Sequence, residues 1–323
     1  MDLEIYGTLG PSCCEEETIV QLFKKGMTGM RINLSHVNLQ QAANWIEAFH
    51  KAAKRCSIKP DLLMDMQGPE LRIGKVEKEC RLNEIIDMNE LDIPEVVLKE
   101  LKKDQMVLID DGKIHIQMID SIKGKVVQEG KITSRKSIAL PGVSIQLPSL
   151  TDTDIKNISM AKNFGVTGLM QPFVRNEHDL IYVKNKLKEY HTDIKIYAKI
   201  ENEQGVGQIE SLIKHCDQII IARGDLANSV GLIQLPSVQR KIEEICKKNN
   251  MPYMIVTEML YSMIKNASPT RAEVNDIYYA VYNGAKSIML TAETAMGQYP
   301  VQAMEYFVEV AKIAWNDKKR KTL

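Results

Sequence analysis

With 323 residues, the chain is too long for one small domain and suits one large domain carrying an insertion. Its 42 basic and 42 acidic residues balance, so no global field draws nucleic acid or an anionic membrane. No apolar run is long enough to span a bilayer.

The start, Met1-Asp2-Leu3-Glu4, is acidic and runs at once into an apolar strand pattern, unlike a secretory leader. Six scattered cysteines read as free thiols, and a cytoplasmic location is expected. Only Cys13 and Cys14 are close, and adjacent cysteines are poorly placed to bridge or to share a structural zinc. Seventeen methionines against five phenylalanines predict a methionine-rich core.

Short apolar runs recur at 5–9, 29–34, 62–66, 166–170, 194–200, 218–222, 253–256 and 287–290. Polar or glycine residues follow each, and then a helical pattern. Helices are predicted over 15–25, behind Ser12 and ahead of Gly26, and over 154–163, after a Thr/Asp cap cluster. Four more follow at 203–215, 238–248, 271–283 and 301–315, with apolar residues at three- and four-residue steps. Eight β-then-α units in roughly 250 residues predict an α/β fold, a closed TIM-type (β/α)₈ barrel. A doubly wound open sheet is the alternative.

One interval breaks the rhythm. About 100 residues separate the third and fourth runs, far beyond a usual connection. Within it, 106–109 and 114–119 flank Asp110-Asp111-Gly112, a hairpin signal, and another β-like run follows at 125–128. The expected organisation is therefore barrel over 1–74 and 141–323, with a small all-β domain over 75–140 inserted after strand three. Such an insertion lies over the C-terminal face, where barrel enzymes keep their active sites, and would act as a lid.

Candidate chemistry sits at the strand ends. Strand periodicity puts Lys199 and Glu201 on one face, at the end of the fifth strand. An ammonium and a carboxylate there are costly to desolvate unless paired or occupied. The bland alternative is a buried structural ion pair. Asp225, in Ala222-Arg223-Gly224-Asp225-Leu226, would join Glu201 as a two-carboxylate Mg²⁺ site, or would simply cap a helix. Backbone N–H groups at Gly224 and Asp225 suit a carboxylate or phosphate. Arg31, Asn33 and Ser35 share one face of strand two, and Arg31 with Arg72 suits a phosphate clamp. Asn33, Ser35 and Asp65 offer hard oxygens to a cation. Thr257, ending strand seven, offers a hydroxyl to a substrate carboxylate or a proton relay. Pro269-Thr270-Arg271-Ala272-Glu273 opens the seventh helix, where an Arg/Glu salt bridge is the bland reading.

In order along the chain, these segments resemble the pyruvate kinase family. The resemblance rests on Thr8-Leu9-Gly10-Pro11-Ser12, on 26–36 with its Arg-x-Asn-x-Ser-His pattern, and on 65–74. It continues through Leu140-Pro141-Gly142, Leu147-Pro148, Lys199-Ile200-Glu201-Asn202 and Ala222-Arg223-Gly224-Asp225-Leu226. Thr257 with Met259-Leu260, then 269–274, Met289-Leu290 and Glu293-Thr294-Ala295 complete it.

The resemblance implies a transferase that makes pyruvate and ATP from phosphoenolpyruvate and ADP. It implies that Lys199 stabilises the phosphoryl group in transfer and the enolate, with Arg31 and Thr257 as further catalytic groups. Glu201 and Asp225 would hold Mg²⁺ or Mn²⁺. Asn33, Ser35, Asp65 and the Met66 carbonyl would hold K⁺, as in family members with a glutamate at the Glu70 position. Gly224, Asp225, Thr257 and Arg72 would bind the substrate. Pro11, Arg31, His36, Arg72, Asp111 and Lys136 would serve the nucleotide side and the lid. Family barrels also pair through barrel-side helices, which makes a homodimer the compatible assembly. Neither nucleic acid nor membrane is an expected partner.

The chain also departs from the pattern. Most pyruvate kinases continue into a C-terminal regulatory domain, whereas here a basic stretch, Lys318-Lys319-Arg320-Lys321, reads as a solvated end. The usual allosteric control is therefore not expected. Ala227-Asn228-Ser229-Val230-Gly231 replaces Gly-Val-Glu-Ile-Pro, and Met296 stands where the family has lysine. Gln67 also replaces a lysine, and Pro172 a serine. The changes fall on the nucleotide side. Three readings follow: an unregulated pyruvate kinase, a relative using the enolpyruvate site for another transfer or an aldol-type reaction, and a non-catalytic ligand-binding protein.

Overall fold

Strands buried on both faces read as continuous apolar runs, because helices cover one side and the barrel lumen the other. Eight such strands form: Glu4–Thr8, Gly29–Asn33, Asp61–Asp65, Gly168–Gln171, Lys195–Ile200, Gln218–Ala222, Tyr253–Val256 and Ser287–Met289. They pair in parallel in chain order, and Glu4↔Ser287 to Tyr6↔Met289 join the first strand to the eighth. That closure excludes the open doubly wound sheet. The computed structural model describes residues 3–110, 112–143, 145 and 147–321.

Alternation along the strands sorts the core into two layers. Ile5, Met30, Met64, Leu169, Ile219, Ile255 and Ile288 face the helices. Tyr6, Leu63, Met170, Tyr197, Ile220, Met254 and Met289 fill the lumen. Methionine supplies three of those seven plugs, as a flexible side chain suits an irregular space. The two tyrosine rings fit because glycine stands opposite each. A Cβ on Gly29 would lie 2.7 Å from the Tyr6 ring, and one on Gly168 2.6 Å from the Tyr197 ring. Two residues further along, the same faces carry Thr8, Arg31, Asp65 and Lys199. The barrel is thus apolar in the middle and charged at the mouth.

The helical ring contains more than the sequence reading assigns. Ala43–Arg55 and Glu177–Glu189 are helices, and a short helix, Arg223–Val230, precedes Leu235–Lys248. The basic stretch at 318–321 is not a loose end, since the last helix runs over Pro300–Lys321. Burial, and then Lys247, hold the Lys318 ammonium below its ordinary pKa. None of the described helices is long and apolar enough to cross a membrane.

Between the third and fourth barrel strands, the antiparallel strands Ile138–Ala139, Met106–Ile109, Ile114–Met118, Lys123–Gln128 and Ile85–Asp87 form a sheet in that order. A ribbon of Lys78–Cys80 and Gly130–Ile132 accompanies it. These strands enclose their own apolar core around Val107, Ile116 and Val126. Two short helical pieces, Met88–Leu91 and Glu95–Leu98, lie within the insertion. The hairpin pairs Ile109 with Ile114, and Asp110 (φ 53°) and Gly112 (φ 78°) turn the chain. Asp111 lies outside the described residues.

Glu243, on the helix Leu235–Lys248, is 3% exposed and accepts from Gln239 Nε2 at 2.9 Å. Burial pushes its pKa up, against the pull of that bond. The folded protein therefore binds protons more tightly than the unfolded chain, and stability falls as pH rises from the ordinary carboxylate range through the folded pKa. Glu243→Gln should be more stable than the parent near pH 7, and near-equal at about pH 3. Urea midpoints at the two pH values check this, and an equal gain at both would refute the assignment to ionisation.

Candidate active site

At the mouth, lumen-facing residues of strands two, three and five converge into a quartet of charges. Asp65 accepts from Arg31 Nε at 2.7 Å and Nη2 at 2.6 Å. The Lys199 ammonium stands 3.3 Å from Asp65 Oδ1 and 2.9 Å from Glu201 Oε1. Glu201 follows the last strand residue, and its Oε2 takes the Phe173 N–H at 2.7 Å. Arg31 Nη1 also donates to Thr8 Oγ1 at 3.2 Å, tying the quartet to strand one.

All four side chains are largely withdrawn from water, with exposures of 11%, 2%, 12% and 1% for Arg31, Asp65, Lys199 and Glu201. Burial alone would depress the Lys199 pKa, but Asp65 and then Glu201 outweigh it and hold the ammonium above its ordinary value. Lys199 is therefore a fixed positive charge at neutral pH and not a base. Apart from that ammonium, Asp65 Oδ1 and Glu201 Oε1 meet no hydrogen-bond donor among the described residues. Carboxylate oxygens left this way usually face a cation, a ligand or water.

The next two strand ends interlock. Arg223 Nη2 donates to the Thr257 carbonyl at 2.7 Å, and the Gly224 N–H donates to Thr257 Oγ1 at 3.0 Å. Thr257 and Glu258 both adopt left-handed backbone conformations, with φ of 79° and 54°. Asp225 sits in the first turn of Arg223–Val230 and adds to the field that keeps Lys199 charged. Asp225 and Glu201 line one largely apolar cavity of about 310 Å³, together with Phe173 and Arg175.

On its other side Asp225 faces a larger cleft of about 1740 Å³ between barrel and insertion. His36, Arg72, Lys136, Gly224 and Thr257 line the same cleft. Arg72 is clamped by Glu70, at 2.8 and 2.7 Å, and donates to the Arg135 carbonyl at 2.6 Å. Lys136 pairs with Asp110 at 2.8 Å. Loss of solvation, then Arg72 and Arg31, hold the His36 imidazole below its ordinary pKa.

Strand two ends at Asn33, so Ser35 lies in the turn beyond it and donates its N–H to Asn33 Oδ1 at 3.1 Å. The Met66 side chain packs toward the helices, which leaves its carbonyl as the group a cation would use. Pro11 is exposed on the first loop and stands apart from the quartet.

A family model described as the pyruvate kinase barrel domain matches residues 2–304. The chain belongs to the pyruvate kinase family. A pyruvate kinase from Staphylococcus aureus (strain MRSA252) is 32% identical over 95% of the chain, and one from Staphylococcus epidermidis (strain RP62A) is 33% identical over the same share. Each alignment covers 56% of the relative, so the chain spans little more than half the length of these curated relatives.

Several residues of this family barrel's mouth escape sequence reasoning. The Phe173 N–H is a backbone group on a residue with φ of 52°, and nothing in its identity announces it. Asp154, fully buried, accepts from the Gln67 and Gly68 N–H groups and fixes the exit of strand three. Its signal, a Thr/Asp cluster, shows only the cap. Glu293 accepts from Leu260 N and Thr291 N, joining the loops after strands seven and eight.

No cluster of three or more His, Cys, Asp or Glu side chains that would hold a metal unaided occurs among the described residues. Glu201 and Asp225 fit a divalent ion that takes its remaining ligands from substrate and water. The under-satisfied Glu201 Oε1 and the shared cavity are the observations that support this fit. Two positive side chains (Arg31, Lys199) and three negative ones (Asp65, Glu201, Asp225) give this group of five one net negative charge before any ion binds.

Proposed function

We propose that the barrel mouth transfers a phosphoryl group from phosphoenolpyruvate to ADP, giving pyruvate and ATP. The observation that carries this reading is the Lys199 ammonium, buried between two carboxylates and held protonated at the end of strand five. Phosphoryl transfer runs through a loose transition state whose charge spreads over the phosphoryl oxygens. Lys199 and Arg31 are already desolvated and locked, so they meet that charge without reorganising.

Cleavage of the P–O bond leaves an enolate, and Lys199 stabilises its oxygen until the methylene carbon takes a proton. Gly224, Asp225 and Thr257 receive the substrate carboxylate, with the Thr257 hydroxyl beside the protonation path. Arg72 binds phosphate from the lid side, and Pro11, His36 and Lys136 serve the nucleotide, as does Asp111. Glu201 and Asp225 would hold Mg²⁺ or Mn²⁺, which when bound neutralises phosphoryl and carboxylate oxygens. Asn33, Ser35, Asp65 and the Met66 carbonyl would hold K⁺, and Asp65 Oδ1, which meets no donor but the Lys199 ammonium among the described residues, supports that assignment.

One observation favours a second reading. Met296, 67% exposed, lines the cleft in place of the family's lysine, which weakens the nucleotide side alone. The same enolate would then be delivered to another acceptor. Two assays separate the readings: pyruvate formed from phosphoenolpyruvate and ADP with Mg²⁺ and K⁺, and metal-dependent exchange of the pyruvate methyl protons. Turnover in the first supports the kinase. Exchange without turnover transfers the assignment to the second reading, and failure of both retires the enolate site altogether.

A further inference from the structure

Thr257 holds a backbone conformation that a β-branched residue adopts only when its surroundings impose it. Left-handed φ values at such residues cost about 1–3 kcal/mol and persist where neighbouring groups over-determine them. Here the φ is 79°, followed by 54° at Glu258. Besides the bond of its own hydroxyl to the Val256 carbonyl, the contacts on Thr257 come from the start of the helix Arg223–Val230. Arg223 Nη2 grips the Thr257 carbonyl at 2.7 Å, and the Gly224 N–H reaches the Thr257 hydroxyl at 3.0 Å.

Arg223 is itself held by a residue of another helix. Its Nη1 donates to Asp276 Oδ1 at 2.7 Å, and its Nη2 also touches Met259 Sδ at 3.2 Å. The Arg223 side chain is 13% exposed, so its guanidinium plane is set by these partners more than by solvent. Asp276 lies on the helix Arg271–Tyr282 and lines the larger cleft together with Arg223 and Thr257. A planar fork fixed at one nitrogen by a carboxylate has little freedom left at the other.

We propose that Asp276 is a positioning residue, acting through Arg223 to hold the Thr257 carbonyl and hydroxyl and the Gly224 N–H in one arrangement. What Thr257 and Gly224 bind rests on the reading above, whereas the linkage itself does not. Nothing in the sequence marks Asp276, which reads as one polar residue on an amphipathic helix.

The test uses Asp276→Asn, Thr257→Ala and the double variant, because misplacing a positioning group costs up to about 100-fold in rate. Asp276→Asn should lower kcat/KM for phosphoenolpyruvate by roughly 10- to 100-fold, with little change in Tm. In the Thr257→Ala background the same substitution should cost clearly less than in the parent, because the hydroxyl it positions is gone while the backbone carbonyl that Arg223 grips remains. Equal losses in both backgrounds would overturn the proposal, since a merely structural role adds in each.

A second readout needs no turnover. The Gly224 amide should exchange with deuterium faster in Asp276→Asn than in the parent, while the Leu63 amide within strand three should not change. Unchanged Gly224 exchange overturns the proposal even if the parent proves inactive with phosphoenolpyruvate. Inactivity of the parent counts against the kinase reading alone.

Discussion

Lys199→Met should lower pyruvate formation from phosphoenolpyruvate and ADP by about 10³-fold or more, a loss at the upper end for one preorganised charge. The side chain it replaces is 12% exposed and lies within 3.3 Å of two carboxylates, so no water substitutes for the ammonium in place. The protein should remain folded, at a cost of about 3 kcal/mol for breaking a buried pair. Asp65 keeps both of its Arg31 contacts, and Glu201 keeps the Phe173 N–H.

Metal affinity separates this variant from a general collapse of the site. Removing the Lys199 charge takes the group it forms with Arg31, Asp65, Glu201 and Asp225 from one net negative charge to two, so Mn²⁺ should bind at least as tightly as in the parent. Glu201→Gln should weaken it. The pH dependence is also fixed by the sign of the shift. A lysine pKa held above its ordinary value of about 10.4 contributes its full stabilisation at neutral pH, and loses it only as pH rises through the folded pKa. Ionisation of Lys199 should therefore not appear in the parent's pH–rate profile below about pH 10. Substantial turnover in Lys199→Met, or a Mn²⁺ affinity that falls with it, would remove Lys199 from the centre of the mechanism.

The barrel was legible because strands buried on both faces leave unbroken apolar runs, and because their lengths and spacing repeat. Parity along strand five was enough to put Lys199 and Glu201 on one face. Which faces meet across the lumen was not legible. That depends on the stagger of the strands, such as Asp65 opposite Met170 and Lys199 opposite Ile220, and no local pattern encodes it. Asp65 therefore reads from sequence as a cation ligand alone, while in the fold it is also the counter-ion of Arg31 and Lys199. Ala43–Arg55 begins behind Ala42, which offers no capping side chain, so its start leaves little trace. The Arg223–Asp276 pair spans 53 positions and joins two patterns that each look complete alone.

Asp154→Ala should be the most destabilising single change at the mouth, by about 3–5 kcal/mol, as loss of one carboxylate strands several buried or part-buried donors at once. Its Oδ1 accepts from Gln67 N at 2.9 Å. Its Oδ2 accepts from Gly68 N at 3.1 Å, and from Thr151 N and Thr151 Oγ1 at 2.8 Å each. Half of those bonds cap the helix Asp152–Met160, and half fix the turn by which strand three leaves the barrel. Losing an ordinary helix cap costs about 1 kcal/mol, so a drop of that size in urea unfolding would mean that Asp154 does no more than cap. The larger loss requires the Gln67 and Gly68 donors to be left without an acceptor. Asp154→Asn tells the two cases apart. With its carbonyl oxygen in the Oδ2 place it keeps the Gly68 and Thr151 bonds, but its NH₂ would point a donor at the Gln67 N–H, so the asparagine variant should recover only part of the loss. The same turn lies between the Asp65 and Met66 oxygens and the Glu70–Arg72 clamp at the base of the insertion. A loosened turn should therefore also raise the K⁺ concentration needed for half-maximal activity, whereas loss of the helix cap alone would leave it unchanged.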